Sequence, residues 1–88
     1  MPSLPEGSPG AGRRYDLIFA NILAGPLVDL AGELAPRLER GGAMILSGLM
    51  VDQERQVAAA YRIRDLRLER RLRLDNWSVL VFTRPGVR

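Results

Sequence analysis

Two short runs of this sequence, Tyr15 to Asn21 (YDLIFAN) and Ala43 to Leu49 (AMILSGL), are apolar on both alternating faces, and a segment with helical spacing lies between them. A half-solvated strand alternates apolar and polar residues. A strand apolar on both sides is covered on both, as strands of parallel sheets are. In the first run Tyr15, Leu17 and Phe19 oppose Ile18 and Ala20. Two such runs joined by a helix make a β-α-β unit, the crossover that parallel pairing requires.

The connecting segment carries Leu27, Leu30, Ala31, Leu34 and Leu38 at helical spacing, opened by Gly25-Pro26 and followed by Gly41-Gly42. Proline suits a first helical turn, where no N–H is needed, and glycine suits the left-handed C-cap. A helix from about Pro26 to Glu39 is predicted. After the second strand, Asp52 is placed to cap a helix bearing Val57, Ala58 and Tyr61, with Gln53, Glu54, Arg55 and Arg62 on its polar side. Tyr61 reads as core.

From Leu66 to Leu74 leucines alternate with charged residues, and Arg70 interrupts the apolar face, as expected of an edge strand wet on one side. Asp75-Asn76 marks a turn into WSVLVFT, Trp77 to Thr83, which is apolar on both faces, Trp77 included. So short a link permits only an antiparallel hairpin. The chain therefore reads β-α-β-α-β-β. With the better-buried last strand inserted, the sheet order is the Tyr15 strand, the Ala43 strand, the Trp77 strand and the Leu66 strand.

At 88 residues the chain suits one small domain, and 47% hydrophobic with 26% charged residues excludes a disordered or collagen-like class. It has neither cysteine nor histidine. Disulfide frameworks, thiolate nucleophiles, Cys/His zinc sites and histidine acid–base catalysis are therefore excluded, and no metal is expected. Cysteine-free composition suits a cytoplasmic location. No apolar run approaches the ~20 residues that span a bilayer, and no membrane partner is expected. The first fourteen residues, rich in proline and glycine, read as a flexible leader ahead of a domain from 15 to 88; Gly10-Ala11-Gly12 follows no strand and is no cofactor loop.

All thirteen basic residues are arginine, a bias that coding composition explains. Arg62, Arg64, Arg67, Arg70, Arg71 and Arg73 cluster near the edge strand and raise an RNA-binding reading. Asp65, Glu69 and Asp75 interrupt them, and no aromatic stacking platform accompanies them. A charge-protected edge is the preferred account, and direct nucleic-acid binding is not expected.

The segment from Tyr15 to Met50 resembles the pattern D-L-x-x-A-N-I-L-A-x-x-L followed by L-x-x-G-G-x-x-x-L-S-G of the ribosomal protein L11 methyltransferases. The likeness extends more loosely through Trp77 to Arg84 and back to Leu4–Gly7. It implies an α/β fold, the C-terminal half of a Rossmann-like methyltransferase sheet, with the last strand antiparallel and inserted. It further implies S-adenosylmethionine as cofactor. Amino groups of a large-subunit ribosomal protein, lysine side chains and the N-terminal amine, are the implied substrates.

On this resemblance Asn21, just beyond a strand's carboxyl end, is the cofactor-binding residue, and no catalytic residue is assigned. Leu23, Gly25, Pro26, Ser47 and Gly48 are candidates for the substrate pocket. The chain departs from the family in lacking the first strand with its glycine-rich turn, the acidic residue that grips the ribose, and the N-terminal substrate-recognition domain. It is therefore expected to be inactive alone, as a truncated product or one end of a longer reading frame. The Tyr15 to Asn21 strand should then present an open edge. The alternative function is a non-catalytic remnant that self-associates or binds a partner through that edge.

Overall fold

The computed structural model describes residues 13–86. Six main elements follow one another: β1 (Tyr15–Asn21), α1 (Ala24–Leu34), β2 (Leu38–Met50), α2 (Glu54–Arg62), β3 (Arg67–Leu74) and β4 (Trp77–Thr83). The sheet order is β1-β2-β4-β3, with β1 parallel to β2 and both other pairings antiparallel. This is the topology expected from strand patterning and connection length. The leader reading falls mostly on residues outside those described; Arg13 and Arg14 are exposed and belong to no helix or strand.

Both helices lie on one face of the sheet. Leu27, Ala31, Val57, Ala58 and Tyr61 pack there against Met44, Leu46, Leu80 and Phe82, all buried, with Ile18 and Ala20 at the margin. Tyr61 is fully buried, as its position on the apolar helix face predicted. Its ring lies 5.6 Å from that of Phe82, and its hydroxyl donates to the Leu27 carbonyl at 2.7 Å, joining α2 to α1. Burial pushes the Tyr61 hydroxyl up to about 12, because a phenolate there would lose its hydration.

Several local expectations are corrected. Helix α1 stops at Leu34 rather than Glu39, and a 3₁₀ turn, Ala35–Arg37, leads straight into β2. Pro36, which has no N–H to continue the helical ladder, lies in that turn. Gly41 and Gly42 are thus inside β2, not a helix cap. Gly41 has φ +81° and donates to the Arg84 carbonyl at 2.8 Å. Arg84 fastens the corner, donating from Nε to the Leu38 carbonyl at 2.7 Å and from Nη2 to the Ala35 carbonyl. Asp52 does not cap α2 either. It sits in a 3₁₀ turn, Val51–Gln53, whose Gln53 Oε1 accepts from the Met50 amide at 2.8 Å.

The edge strand β3 departs from simple alternation. Leu68 pairs with Phe82 but Arg70 pairs with Val81, so Glu69 is an extra residue, a β-bulge. Beyond it the faces exchange. Leu68 points to the helices, whereas Leu72 and Leu74 pair with Val79 and Trp77 on the other face. Arg71 and Arg73 are turned instead toward α2. The interruption at Arg70 in the sequence is the trace of this bulge.

The face opposite the helices is bare among the described residues. Leu17 and Phe19 from β1, Leu72 and Leu74 from β3 and Trp77 from β4 are exposed on it. Neither β1 nor Trp77 is covered on both sides, contrary to expectation, because no element of the described chain lies over this side. Strand β1 is an edge.

Candidate functional site

At the carboxyl ends of the parallel strands, β2 departs from regular pairing. Leu46 opposes Leu80 and Leu49 opposes Ser78, so two residues of β2, Ser47 and Gly48, stand against one of β4, Val79, and the chain bulges there. Gly48 has φ +91°, a conformation that suits glycine. A β-carbon there would stand 2.6 Å from the Ile22 carbonyl oxygen and 2.9 Å from Asn21 Oδ1. The glycine lets the chain leaving β1 lie directly against the bulge. The Ile22 amide completes the contact by donating to the Ser47 carbonyl at 3.1 Å.

A cleft of about 600 Å³ opens at this point. One wall is Asn21, Ile22, Leu23, Ser47 and Gly48; the other is the β3–β4 hairpin, with Leu72, Arg73, Leu74, Trp77, Ser78 and Val79. Of the residues singled out in the sequence, Asn21, Leu23, Ser47 and Gly48 meet here. Gly25 and Pro26 do not line the cleft. They lie in the first turn of α1, and a β-carbon at Gly25 would meet nothing within 4 Å. The hairpin wall escaped sequence reasoning, since unbroken alternation would have sent Leu72 and Leu74 to the helix side. The bulge signal at Arg70 was the clue to it.

The hairpin wall is anchored from behind. Arg73 Nε and Nη2 donate to Glu54 Oε2 and Oε1 at 2.9 and 2.8 Å, and Arg71 Nη1 lies 3.7 Å from Oε1. Glu54 is buried at the start of α2. The Arg73 guanidinium holds its carboxyl down at about 2 despite burial, which works in the opposite direction. Ser78 Oγ is buried on the same side but has no partner at hydrogen-bond geometry, so the arginines hold the carboxylate. The hairpin tip is tied to the 3₁₀ turn that follows β2 by the Val51 amide donating to the Asn76 carbonyl at 2.8 Å.

The cleft is thus a largely apolar groove with an asparagine carboxamide and backbone carbonyls at one margin. Its position, outside the carboxyl ends of parallel strands, is where open α/β sheets bind ligands. Among the described residues no three His, Cys, Asp or Glu side chains come together as metal ligands, and no helix is long and apolar enough to cross a membrane.

Known proteins resemble this chain in sequence and in fold. The ribosomal protein L11 methyltransferase of Caulobacter sp. (strain K31) is 51% identical over 71 residues, covering 81% of this chain and 25% of its own length. That of Bradyrhizobium diazoefficiens is 47% identical over 72 residues, 82% of this chain and 24% of its own. A crystal structure of ribosomal protein L11 methylase from Lactobacillus delbrueckii subsp. bulgaricus superposes with a TM-score of 0.76 at 32% identity, over 83% of this chain and 38% of that one. The chain spans about a quarter of the length of these curated relatives. The family model described as ribosomal protein L11 methyltransferase (PrmA) matches residues 3–85, and this chain belongs to that family.

Proposed function

We propose that this chain forms one side of a site that transfers a methyl group from S-adenosylmethionine to amino groups of a large-subunit ribosomal protein, lysine side chains and the N-terminal amine. The observation that carries the reading is the meeting of Asn21 with the Ser47-Gly48 bulge at the mouth of an apolar cleft. When bound, the cofactor supplies an electrophilic methyl carbon on a positively charged sulfur. Asn21 and the carbonyls beside it are the residues that would hold that end, since they offer oxygen without a competing positive charge.

The target amine must arrive neutral. Leu72, Leu74, Trp77 and Val79 would strip water from it, and desolvation lowers an amine's pKa. Asn21 Oδ1 would accept one of its N–H bonds, aiming the nitrogen lone pair at the methyl carbon. The bound cofactor would supply the methyl carbon and retain the electron pair of its carbon–sulfur bond, and the proton of the methylated amine would leave to water at the cleft mouth. The remaining contacts to the cofactor belong to sequence outside the aligned quarter of the relatives, and the chain alone is inactive on this reading.

Calorimetric titration of the chain with S-adenosylmethionine tests the proposal. Weak saturable binding that Asn21→Ala abolishes is expected. Absence of binding, or binding indifferent to Asn21→Ala, would remove Asn21 from the cofactor site.

A further inference from the structure

At the end of the sheet away from the cleft, where β1 and β2 begin and β4 ends, three arginines from distant parts of the chain line one hollow of about 290 Å³. Arg14 precedes β1, Arg64 follows α2 and Arg84 follows β4; Ala35 and Pro36 complete the lining, and no carboxylate belongs to it. Arg64 and Arg84 are half-buried and held by backbone carbonyls. Arg64 Nη1 donates to the Ala60 carbonyl at 2.6 Å, and its Nη2 lies so near α1 that a β-carbon on Gly32 would stand 3.6 Å from it. Arg84 is fixed by its bonds to the Leu38 and Ala35 carbonyls. Neither set of bonds uses all the donors of a guanidinium, and neither supplies a negative charge. Among the described residues the edge-strand arginines Arg67, Arg71 and Arg73 have carboxylate partners, Glu69 and Glu54, whereas Arg14, Arg64 and Arg84 pair with none.

We propose that this hollow is an anion site that takes one phosphate group, free in solution or carried by an RNA chain. Like charges converge there without a counter-charge, and two of the three are partly withdrawn from water, so a bound anion relieves a cost that the empty site bears. Phosphate matches the guanidinium fork, whose parallel N–H donors meet two of its oxygens, and it carries more charge and more acceptors than a single carboxylate. The carbonyl bonds fix Arg64 and Arg84 before the ligand arrives, which spares the entropy of ordering two long side chains. Arg14, exposed and outside any helix or strand, completes the ring. A second hollow, lined by Arg40, Arg67 and Arg84 with Asp65, shares Arg84 with the first and gives a phosphate chain a path beyond the first group. Of the six arginines that raised an RNA reading in the sequence, only Arg64 lines the first hollow. The site is therefore a different constellation from the edge strand, and the inference is independent of the methyl-transfer reading.

The test is calorimetric titration of the 88-residue chain with inorganic phosphate at low ionic strength, together with fluorescence anisotropy of a short labelled single-stranded RNA. Saturable binding is expected, weakened about tenfold or more in Arg14→Ala/Arg64→Ala. Arg55→Ala, which removes an exposed charge that lines neither hollow, should leave it unchanged. Arg14→Ala alone should weaken binding several-fold with the fold intact, since Arg14 lies outside the secondary structure, and circular dichroism checks each variant. RNA binding that is tighter than that of phosphate and weakened by the same variants assigns the group to an RNA chain; phosphate binding without RNA binding assigns it to free phosphate. The proposal is overturned if neither ligand binds saturably, or if Arg55→Ala weakens binding as much as the double variant. Asn21→Ala should leave phosphate binding unchanged, so this reading and the methyl-transfer reading fail separately.

Discussion

Gly48 lies against Asn21 so closely that a single added carbon would stand 2.9 Å from the asparagine Oδ1 and 2.6 Å from the neighbouring Ile22 carbonyl. With φ at +91°, the position combines a steric and a backbone demand for glycine. Gly48→Ala should destabilise the chain by about 1–3 kcal/mol and displace the Asn21–Leu23 segment. Gly25→Ala is the control. Open space and a helical site at residue 25 predict a neutral effect or a gain of about 0.5–1 kcal/mol in thermal unfolding.

The Glu54–Arg73 pair gives stability a defined dependence on pH. The Glu54 carboxyl is lowered from 4.5 to about 2 in the folded chain. Its contribution is therefore fully present above about 4.5 and is lost as pH falls through about 2. Glu54→Gln should unfold more easily than the parent at neutral pH, and the difference between the two should shrink steadily from pH 5 to pH 2. Parallel acid-unfolding curves for the two proteins would show that the pair carries no such linkage.

Tyr61→Phe keeps the packing against Phe82 but deletes the donor to the Leu27 carbonyl, and should cost about 1 kcal/mol. Because the folded Tyr61 pKa is raised to about 12, its contribution is present below about 10 and disappears as pH rises through about 12. Ultraviolet titration should find one tyrosine ionising late, and the Phe variant should lack that step.

Phe82 and Trp77 occupy the same strand but opposite sides of it. Phe82→Ala should cost about 3–5 kcal/mol, since it empties a fully enclosed position. Trp77→Ala, on the bare face, should cost much less. As Trp77 is the single tryptophan, its fluorescence in the free chain should be readily quenched by acrylamide, and a ligand filling the cleft should protect it.

Strand patterning and connection length were enough to place all four strands in order. The doubly apolar YDLIFAN and AMILSGL runs cannot be solvated on both sides, and the two residues after Leu74 cannot carry a parallel crossover. Asn21, Leu23, Ser47 and Gly48 were legible as site candidates because residues at the carboxyl ends of parallel strands converge whatever their packing. Gly25 and Pro26, one turn further on, were carried past the cleft by the helix they begin.

Only the tertiary structure decided where Leu72, Leu74 and Trp77 point. A bulge shifts every later residue of its strand to the opposite face, and whether one forms depends on cross-strand partners that are distant in sequence. It depends here on Glu54, nineteen positions before Arg73, turning Arg71 and Arg73 toward α2 and the leucines into the cleft. Coverage was likewise beyond the sequence. Apolar residues state that a face should be buried, but what buries it is a neighbour in space, and among the described residues the face of Leu17 and Phe19 has none.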